Sequence, residues 1–573
     1  MASNQASSAP WWHLYVPKLI AVLMRGYGFS HLKADTISGL TVAIVALPLA
    51  MALGIASGAT PAQGLITVVI AGFLISALGG SRYQIGGPTG AFVVVIFNVI
   101  ATHGYDGLII ATLMAGVMLV VAGLMRLGTW IKYIPQPVIT GFTSGIAVII
   151  FSSQIKDLFG LQMEQVPGEF TEKWMAFWAA RGDYTIPSII ISFGSLALLV
   201  LLKKYAPKVP AFLCVVVLSS IAVWVFKMDT PTIGSAFGGI PHNIPMPSLP
   251  AFDPAKMYAL LPSAFTIAFL AGIESLLSAV VADGMTGRRH RSNCELVAQG
   301  LANIASPLFG GLPATGAIAR TATNIRSGAY SPVSGILHAV FVLLFMLFLA
   351  PLASFIPLSC LAAILVIVAW NMSEFDRFRH LMRAPLGDKI VLLLTFFLTI
   401  AVDLTVAIEV GVVLASILFM HRMSQAVEMQ TQTTLIENDE SDLLPRDGEQ
   451  KYQRDDLPAG VEAFQIRGPF FFGVASRLLD VLDHLANPPR VFILRMRHVP
   501  LIDASGDTAL EEFINRCRKE GITVILSGMQ PACHRILTQM GFFEKHKDLL
   551  LTAHFAEARQ MAENIIKNQS DRP

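Results

Sequence analysis

The sequence predicts an α-helical polytopic membrane domain of fourteen segments, built as a 7+7 inverted repeat, with a smaller cytoplasmic α/β domain behind it. Three observations predict this. Of 573 residues, 54% are hydrophobic and only 14% charged, the composition of an integral membrane protein. The charge is unevenly divided: residues 1–422 hold 24 Lys/Arg and 17 Asp/Glu, whereas residues 423–573 hold 17 and 22, an ordinary soluble density. Finally, one short stretch occurs twice. Gly86-Gly87-Pro88-Thr89-Gly90-Ala91 and Leu312-Pro313-Ala314-Thr315-Gly316-Ala317 each carry a proline followed by Thr-Gly-Ala.

Residues 1–34 read as a cytoplasmic N-terminal segment. They lack the basic-then-apolar pattern of a cleaved signal, so targeting falls to the first span. A membrane helix takes about 20 apolar residues. Over residues 35–422, candidates begin near Ile37, Gln63, Pro88, Gly107, Pro135, Ile186 and Val209. A second set begins near Lys256, Glu295, Thr315, Pro332, Pro357, Leu386 and Leu404. Repeat 1 is thus about 35–228 and repeat 2 about 256–422. With both termini inside, cytoplasmic loops hold 18 Lys/Arg and outer loops five, as the positive-inside rule requires. Seven is odd, so two similar halves enter the membrane in opposite senses. Tyr133-Ile134-Pro135 and Phe355-Ile356-Pro357 echo each other at the fifth and twelfth spans, which supports the repeat.

Residues 423–458 are acidic and read as a linker. Gly460–Arg467, Arg490–Arg495 and Thr523–Leu526 read as strands; Ala475–Ala486, Ser505–Glu520 and Gln530–Met540 read as helices. Alternation at this spacing predicts a compact α/β domain over 459–560, with 561–573 as a tail.

The repeated Pro/Thr-Gly-Ala stretches open runs too short for ordinary spans. Proline is preorganised for a helix start, and free backbone N–H groups there carry roughly half a positive charge. Two such starts in corresponding positions of two halves point to a transporter's central site. Small residues for close helix packing are the plainer alternative. Two ionisable residues fall inside spans: Glu274, with Ser278 one turn on, and Arg320. Charges in the bilayer usually face a cavity or a partner. An ion pair of the two that only locks the core is one reading. The other is an anion site from two helix starts plus Arg320, with the Thr89 and Thr315 hydroxyls as donors and Phe92 lining it. Protonation of Glu274 would then strengthen anion binding, the condition for proton–anion symport. Sodium held by Glu274, Ser278 and backbone carbonyls is the rival coupling. Asp403 reads as a tight-turn residue and Glu409 as structural.

These residues also carry a family resemblance. Thr60-Pro61-Ala62-Gln63-Gly64-Leu65, Gly80-Ser81-Arg82 and Gly87-Pro88-Thr89-Gly90-Ala91 resemble the sulfate permease (SulP, solute carrier 26) signature, over about residues 30–560. Ile502-Asp503-Ala504-Ser505-Gly506 resembles the loop of a STAS domain, that family's cytoplasmic appendage. Gly-Pro-Thr-Gly-Ala-Phe-Val-Val and Ala-Ile-Ala-Arg-Thr-Ala look most like the bacterial aerobic C4-dicarboxylate branch. The resemblance implies a core domain (segments 1–4 and 8–11), a gate domain (5–7 and 12–14) and elevator-like motion between them. It implies substrate contacts from Pro88, Thr89, Gly90, Ala91 and Phe92 and from Ala314, Thr315, Gly316, Ala317 and Arg320. Ion coupling falls to Glu274 and Ser278. A homodimer in a bacterial inner membrane is implied too. Leu49 stands where many sulfate and halide members have glutamine, a departure from a simple sulfate assignment. In the STAS loop, phosphorylatable relatives carry Ser where Ala504 stands; Ser505 reads as a helix N-cap, Asp503 and Ser505 as holding the loop, and the domain as a dimer or cytosolic-partner contact.

Several classes are excluded. The five cysteines are scattered, with no CxxC or His clustering, which fits neither disulfides nor zinc. No phosphate-binding loop or catalytic triad is present, so the chain reads as no enzyme, without metal or organic cofactor. Net charge is +2, which gives no reason to expect nucleic acid. The reading is a secondary transporter of a small anion, dicarboxylate before sulfate or bicarbonate, with a STAS-regulated anion conductor as the alternative.

Overall fold

A computed structural model describes residues 14–129, 135–163, 166–167, 169–206, 209–241, 243, 245–251, 253–402, 404–425, 428–431, 457–471, 478 and 488–570. Tyr133, Ile134, Asp403, most of the 423–458 stretch and, apart from Leu478, the helix read over Ala475–Ala486 lie outside these residues. The chain forms two compact units, Met1–Ala415 and Ser416–Pro573.

In the first unit, helices α1 (Phe29–Ala56), α2 (Pro61–Leu78), α3 (Val93–Leu124), α4 (Gln136–Ser153), α5 (Ile186–Tyr205) and α6 (Ala211–Phe226) precede the Pro-rich loop. After it come α7 (Pro254–Thr286), α8 (Ser292–Leu308), α9 (Ile318–Arg326), α10 (Val333–Phe348), α11 (Leu358–Met372) and α12 (Leu386–Ala401), and α13 (Leu404–Gln425) begins in this unit and ends in the second. A helix covers or opens beside every predicted start. The predicted third and fourth segments are the two helical stretches of α3, which meet at a break at Gly104, where φ is 71° and ψ 179°, a conformation that favours glycine. Among the described residues, eight helices are long and apolar enough to cross a bilayer; α6 and α10 are apolar but shorter.

Local chemistry sets the boundaries. Thr60 and Gln63 form a capping box at the start of α2: the Gln63 N–H donates to Thr60 Oγ1 (3.3 Å) and the Thr60 N–H to Gln63 Oε1 (2.8 Å), with Pro61 at the first helical position. Asp35, fully buried in α1, caps the other repeat. It accepts the Tyr330 and Ser331 backbone N–H groups at 2.6 and 3.0 Å, just before α10.

The two repeats interlock. Helix α3 of the first packs against α7 and α8 of the second, and α10 of the second packs against α1 and α2 of the first. Helices α4 and α5 group instead with α11 and α12. Between the repeats lies a two-stranded antiparallel ladder, β1 (Gly86–Gly87) with β2 (Thr315–Gly316), pairing Gly86 with Gly316 and Gly87 with Thr315. The repeated motif is therefore extended backbone first and helix second. Pro88 and Pro313 precede the helices by several residues rather than opening them, a correction to the expected proline helix starts.

The second unit is a five-stranded sheet, order β3-β4-β5-β6-β7. Strand β3 (Glu428–Thr431) is antiparallel to β4 (Val461–Arg467); β5 (Val491–His498), β6 (Thr523–Ser527) and β7 (Leu550–Thr552) continue in parallel. Strand β4 alternates as a strand between two apolar layers must. Phe464 and Ile466 join Phe492, Phe513 and the helix α14 (Ala504–Lys519) on one face. Val461 and Ala463 join Phe555, Ala558 and Ala562 of α16 (Phe555–Ser570) on the other. Helix α15 (Pro531–Gln539) adds Cys533 and Leu537 to the first layer. Strand β3 falls inside the stretch read as linker, and α16 runs on past residue 560.

Candidate functional site

The ladder brings the two Thr-Gly-Ala stretches together, and both threonines hydrogen-bond to helix α7. Thr89 Oγ1 donates to Glu274 Oε2 at 2.8 Å, and Thr315 Oγ1 donates to the Ala271 carbonyl at 2.8 Å. Thr89 and Glu274 are half-buried, whereas Thr315 is sealed. Gly90 opens a short 3₁₀ turn, Gly90–Phe92, ahead of α3. A Cβ on it would sit 2.4 Å from Met372 Sδ of α11 and 3.1 Å from Ile150 Cδ1 of α4. The first stretch thus faces the second group of helices across a tight gap, while Ala91 and Phe92 are fully buried beside it.

Arg320, third residue of α9 and 2% exposed, points at the ladder from behind. Its Nη2 donates to the Pro88 carbonyl at 2.7 Å. Its Nε and Nη1 are buried without a protein acceptor, as is either ring nitrogen of His338 in α10. Gly87 must be glycine here: its φ is 153°, and an added Cβ would meet Arg320 Nη1 at 2.4 Å. Among the described residues Arg320 makes no ion pair, so the Glu274–Arg320 lock does not form in this structure. Buried cationic donors without partners are costly.

Other expected contributors are committed elsewhere. The Ala314 N–H donates to Asn303 Oδ1 (2.8 Å) and the Ala317 N–H to the Ile85 carbonyl (2.8 Å), so neither is a free donor for substrate. Ser278 Oγ donates to Thr321 Oγ1 at 3.1 Å, tying α7 to α9 rather than joining Glu274. In the second unit the N-cap of α14 is Asp503, not Ser505: its carboxylate accepts the Gly506 N–H at 2.8 Å.

A polar scaffold beneath the ladder was not read from the sequence. Glu295, fully buried, accepts from the Ser81 N–H (3.0 Å), Ser275 Oγ (3.2 Å) and Gln299 Nε2 (3.0 Å). Gln84 Nε2 donates to Ser275 Oγ (2.8 Å), and Asn303 holds both backbone groups of Ala314. The signal was available: Glu295, Gln299 and Asn303 recur every four residues in α8, a polar stripe on one helix face.

Comparison with known proteins follows the same division. Residues 32–395 match the sulfate permease family and residues 456–558 the STAS domain. The chain is 43% identical over 523 residues to the Bacillus subtilis protein named "Putative sulfate transporter YvdB", covering 91% of this chain and 96% of that one. It is 30% identical over 532 residues to the bicarbonate transporter BicA of Picosynechococcus, covering 90% and 92%. Among solved structures, the BicA transmembrane domain matches with TM-score 0.60 at 30% identity, covering 68% of this chain and 98% of that one. Murine Slc26a9 in its inward-facing state matches with TM-score 0.84 at 18% identity, covering 98% and 96%, a likeness of fold alone. With one family model spanning most of the membrane unit and the other the soluble unit, this chain belongs to the sulfate permease family and carries a C-terminal STAS domain.

Proposed function

We propose that the chain is a proton-coupled secondary transporter of a small anion across the bacterial inner membrane. The observation that carries this reading is the 2.8 Å hydrogen bond from Thr89 to Glu274. A hydroxyl has one proton to donate. While Glu274 is ionised it takes that proton, and its negative charge offsets the attraction of Arg320. Once Glu274 is protonated, Thr89 can turn its donor to the substrate and the site's potential becomes more positive. Both changes favour anion and proton together, so each strengthens binding of the other. Pro88 and Gly90, beside Thr89, then form the substrate edge, and Arg320 supplies charge from behind the ladder.

For the substrate, two lines of support diverge. Two short motifs resemble the C4-dicarboxylate branch; the relatives matched over nine-tenths of the chain are named for sulfate and bicarbonate. The longer match carries more positions, so sulfate or bicarbonate comes first and a C4-dicarboxylate second. The test is uptake of labelled bicarbonate, sulfate and succinate into proteoliposomes under imposed proton or sodium gradients. Accumulation of one of them driven by protons, and lost in Glu274→Gln, is expected. Accumulation driven by sodium alone removes the proton mechanism; passive flux unchanged in Glu274→Gln leaves an anion conductor.

A further inference from the structure

Away from the ladder, the first unit contains a cavity of about 240 Å³ whose wall is strongly cationic. It is built where three distant stretches meet: the short helix Lys18–Leu23, the turn after α2, and the end of α7 running into α8. The short helix is fixed in place. The Lys18 N–H donates to the Gly79 carbonyl at 3.0 Å and Lys18 Nζ to the Arg289 carbonyl at 2.9 Å. The Arg291 guanidinium donates to the Val16 carbonyl.

Six cations line this space: Lys18, Arg25, Arg82, Arg288, Arg289 and Arg291. One carboxylate, Asp283, lines it too, and it is taken: Asp283 Oδ2 accepts from His290, at 2.7 Å from the ring Nδ1 and 3.1 Å from the backbone N–H. Arg82 is braced, its Nε on the Tyr330 carbonyl at 2.6 Å and its guanidinium 4.4 Å above the Tyr330 ring. Among the described residues, Arg25, Arg288 and Arg289 have no acidic partner. Burial, and next the adjacent Arg291, lower the Lys18 pKa, as expected where like charges are held together. The positive-inside rule alone places cations on loops, where they spread into water and toward headgroups. It does not fold six of them around one concavity.

We propose that this cavity is a binding site for a phosphate-bearing anion, distinct from the transport site. Guanidinium groups brought from separate stretches to one wall, those of Arg25, Arg288 and Arg289 open to solvent, suit the oxygens of a phosphate, and basic pockets between membrane helices on the cytoplasmic side take anionic headgroups. The volume lies below the roughly 300–1,000 Å³ of pockets for drug-sized ligands, which suits one phosphate group and its substituent. Ser81 belongs to both places. It lines the cavity, and its N–H holds Glu295, which holds Ser275 next to Glu274. An occupant here therefore touches the scaffold of the transport site.

The phosphate can come from a lipid or from solution, and the experiment separates the two. Full-length protein is placed in phosphatidylcholine nanodiscs, and the shift in its unfolding midpoint is measured against added inorganic phosphate, or against a graded content of phosphatidylglycerol. A saturable rise with at least one probe is expected. Response to phosphatidylglycerol alone assigns a lipid headgroup; response to inorganic phosphate assigns a soluble ligand. The Arg25→Gln/Arg289→Gln variant should weaken the half-saturating concentration at least tenfold, while Arg379→Gln/Arg383→Gln, elsewhere in the unit, should leave it unchanged. If the first variant does not fold, Arg288→Gln alone makes the same comparison. No saturable response to either probe, or equal weakening by both pairs, overturns the proposal.

Discussion

The Thr89 hydroxyl donates a hydrogen bond to the Glu274 carboxylate, and each partner can be tested by a substitution that keeps its shape. Thr89→Val keeps the shape and removes the donor. Loss of one hydrogen bond to a charged group costs about 1.5–3 kcal/mol, so the half-saturating anion concentration should rise roughly 10- to 100-fold in uptake assays. The pH dependence of uptake should survive in Thr89→Val and vanish in Glu274→Gln; the reverse pattern would mean that Glu274 is not the coupling group. A second residue-scale prediction concerns Asp507 in α14, which is buried with Oδ1 unpartnered. Burial, and then the nearby Glu511, raise its carboxyl pKa above 3.8, against the pull of Lys545 and His546. An acid that holds its proton more tightly when folded is most stabilising below its unfolded pKa, and that stability is lost as pH rises through the folded value. Asp507→Asn should therefore raise the unfolding midpoint of the second unit by roughly 2–6 °C at pH 7, and the gap should close near pH 3.5. Arg320 and Glu274 were legible in the sequence because charge within an apolar run is conspicuous. Gln84 and Ser275 were not, since a polar group's partners across three helices leave no mark on local spacing.

At the scale of elements, capping chemistry made some helix starts legible, though at α14 it misplaced the cap on Ser505 instead of Asp503. Thr60 with Gln63, and Pro61 after Thr60, announce α2 in four consecutive residues. The ladder left no such trace, because two-residue strands have no periodicity and their partners lie 228 or 230 positions apart. The break in α3 was legible as a boundary between two segments, where Gly104 at positive φ interrupts the helix. Gly87→Ala tests the ladder directly. The added methyl would strain the backbone at φ 153° and press on Arg320 Nη1, so the unfolding midpoint should fall, and uptake is to be compared at a temperature where the variant still elutes as wild type in size-exclusion chromatography. Displacing the guanidinium from the Pro88 carbonyl should cut uptake by more than tenfold. Wild-type uptake in Gly87→Ala would remove Arg320 from the substrate site.

At the scale of the molecule, charge density rises near residue 422, a few residues past the division of the chain into two units after Ala415, because the bilayer and water impose opposite compositions. The substrate was not legible. Selectivity among small anions depends on sub-ångström placement of a few donors, and two that the motif offered, the Ala314 and Ala317 N–H groups, are used internally. Strand β3 bears on how the soluble unit can be isolated. It covers the edge of β4, and a bare edge strand invites aggregation. A fragment beginning at residue 426 should be soluble and monodisperse, whereas one beginning at 457 should aggregate or melt lower; equal behaviour would show that β3 adds nothing. The ladder has a last consequence. Because β1 belongs to one repeat and β2 to the other, prising the halves apart along their pseudo-symmetry axis would tear backbone hydrogen bonds in a place where no water can replace them. The two Thr-Gly-Ala stretches are thus welded into one unit, and in the transport reading proposed above they would move together.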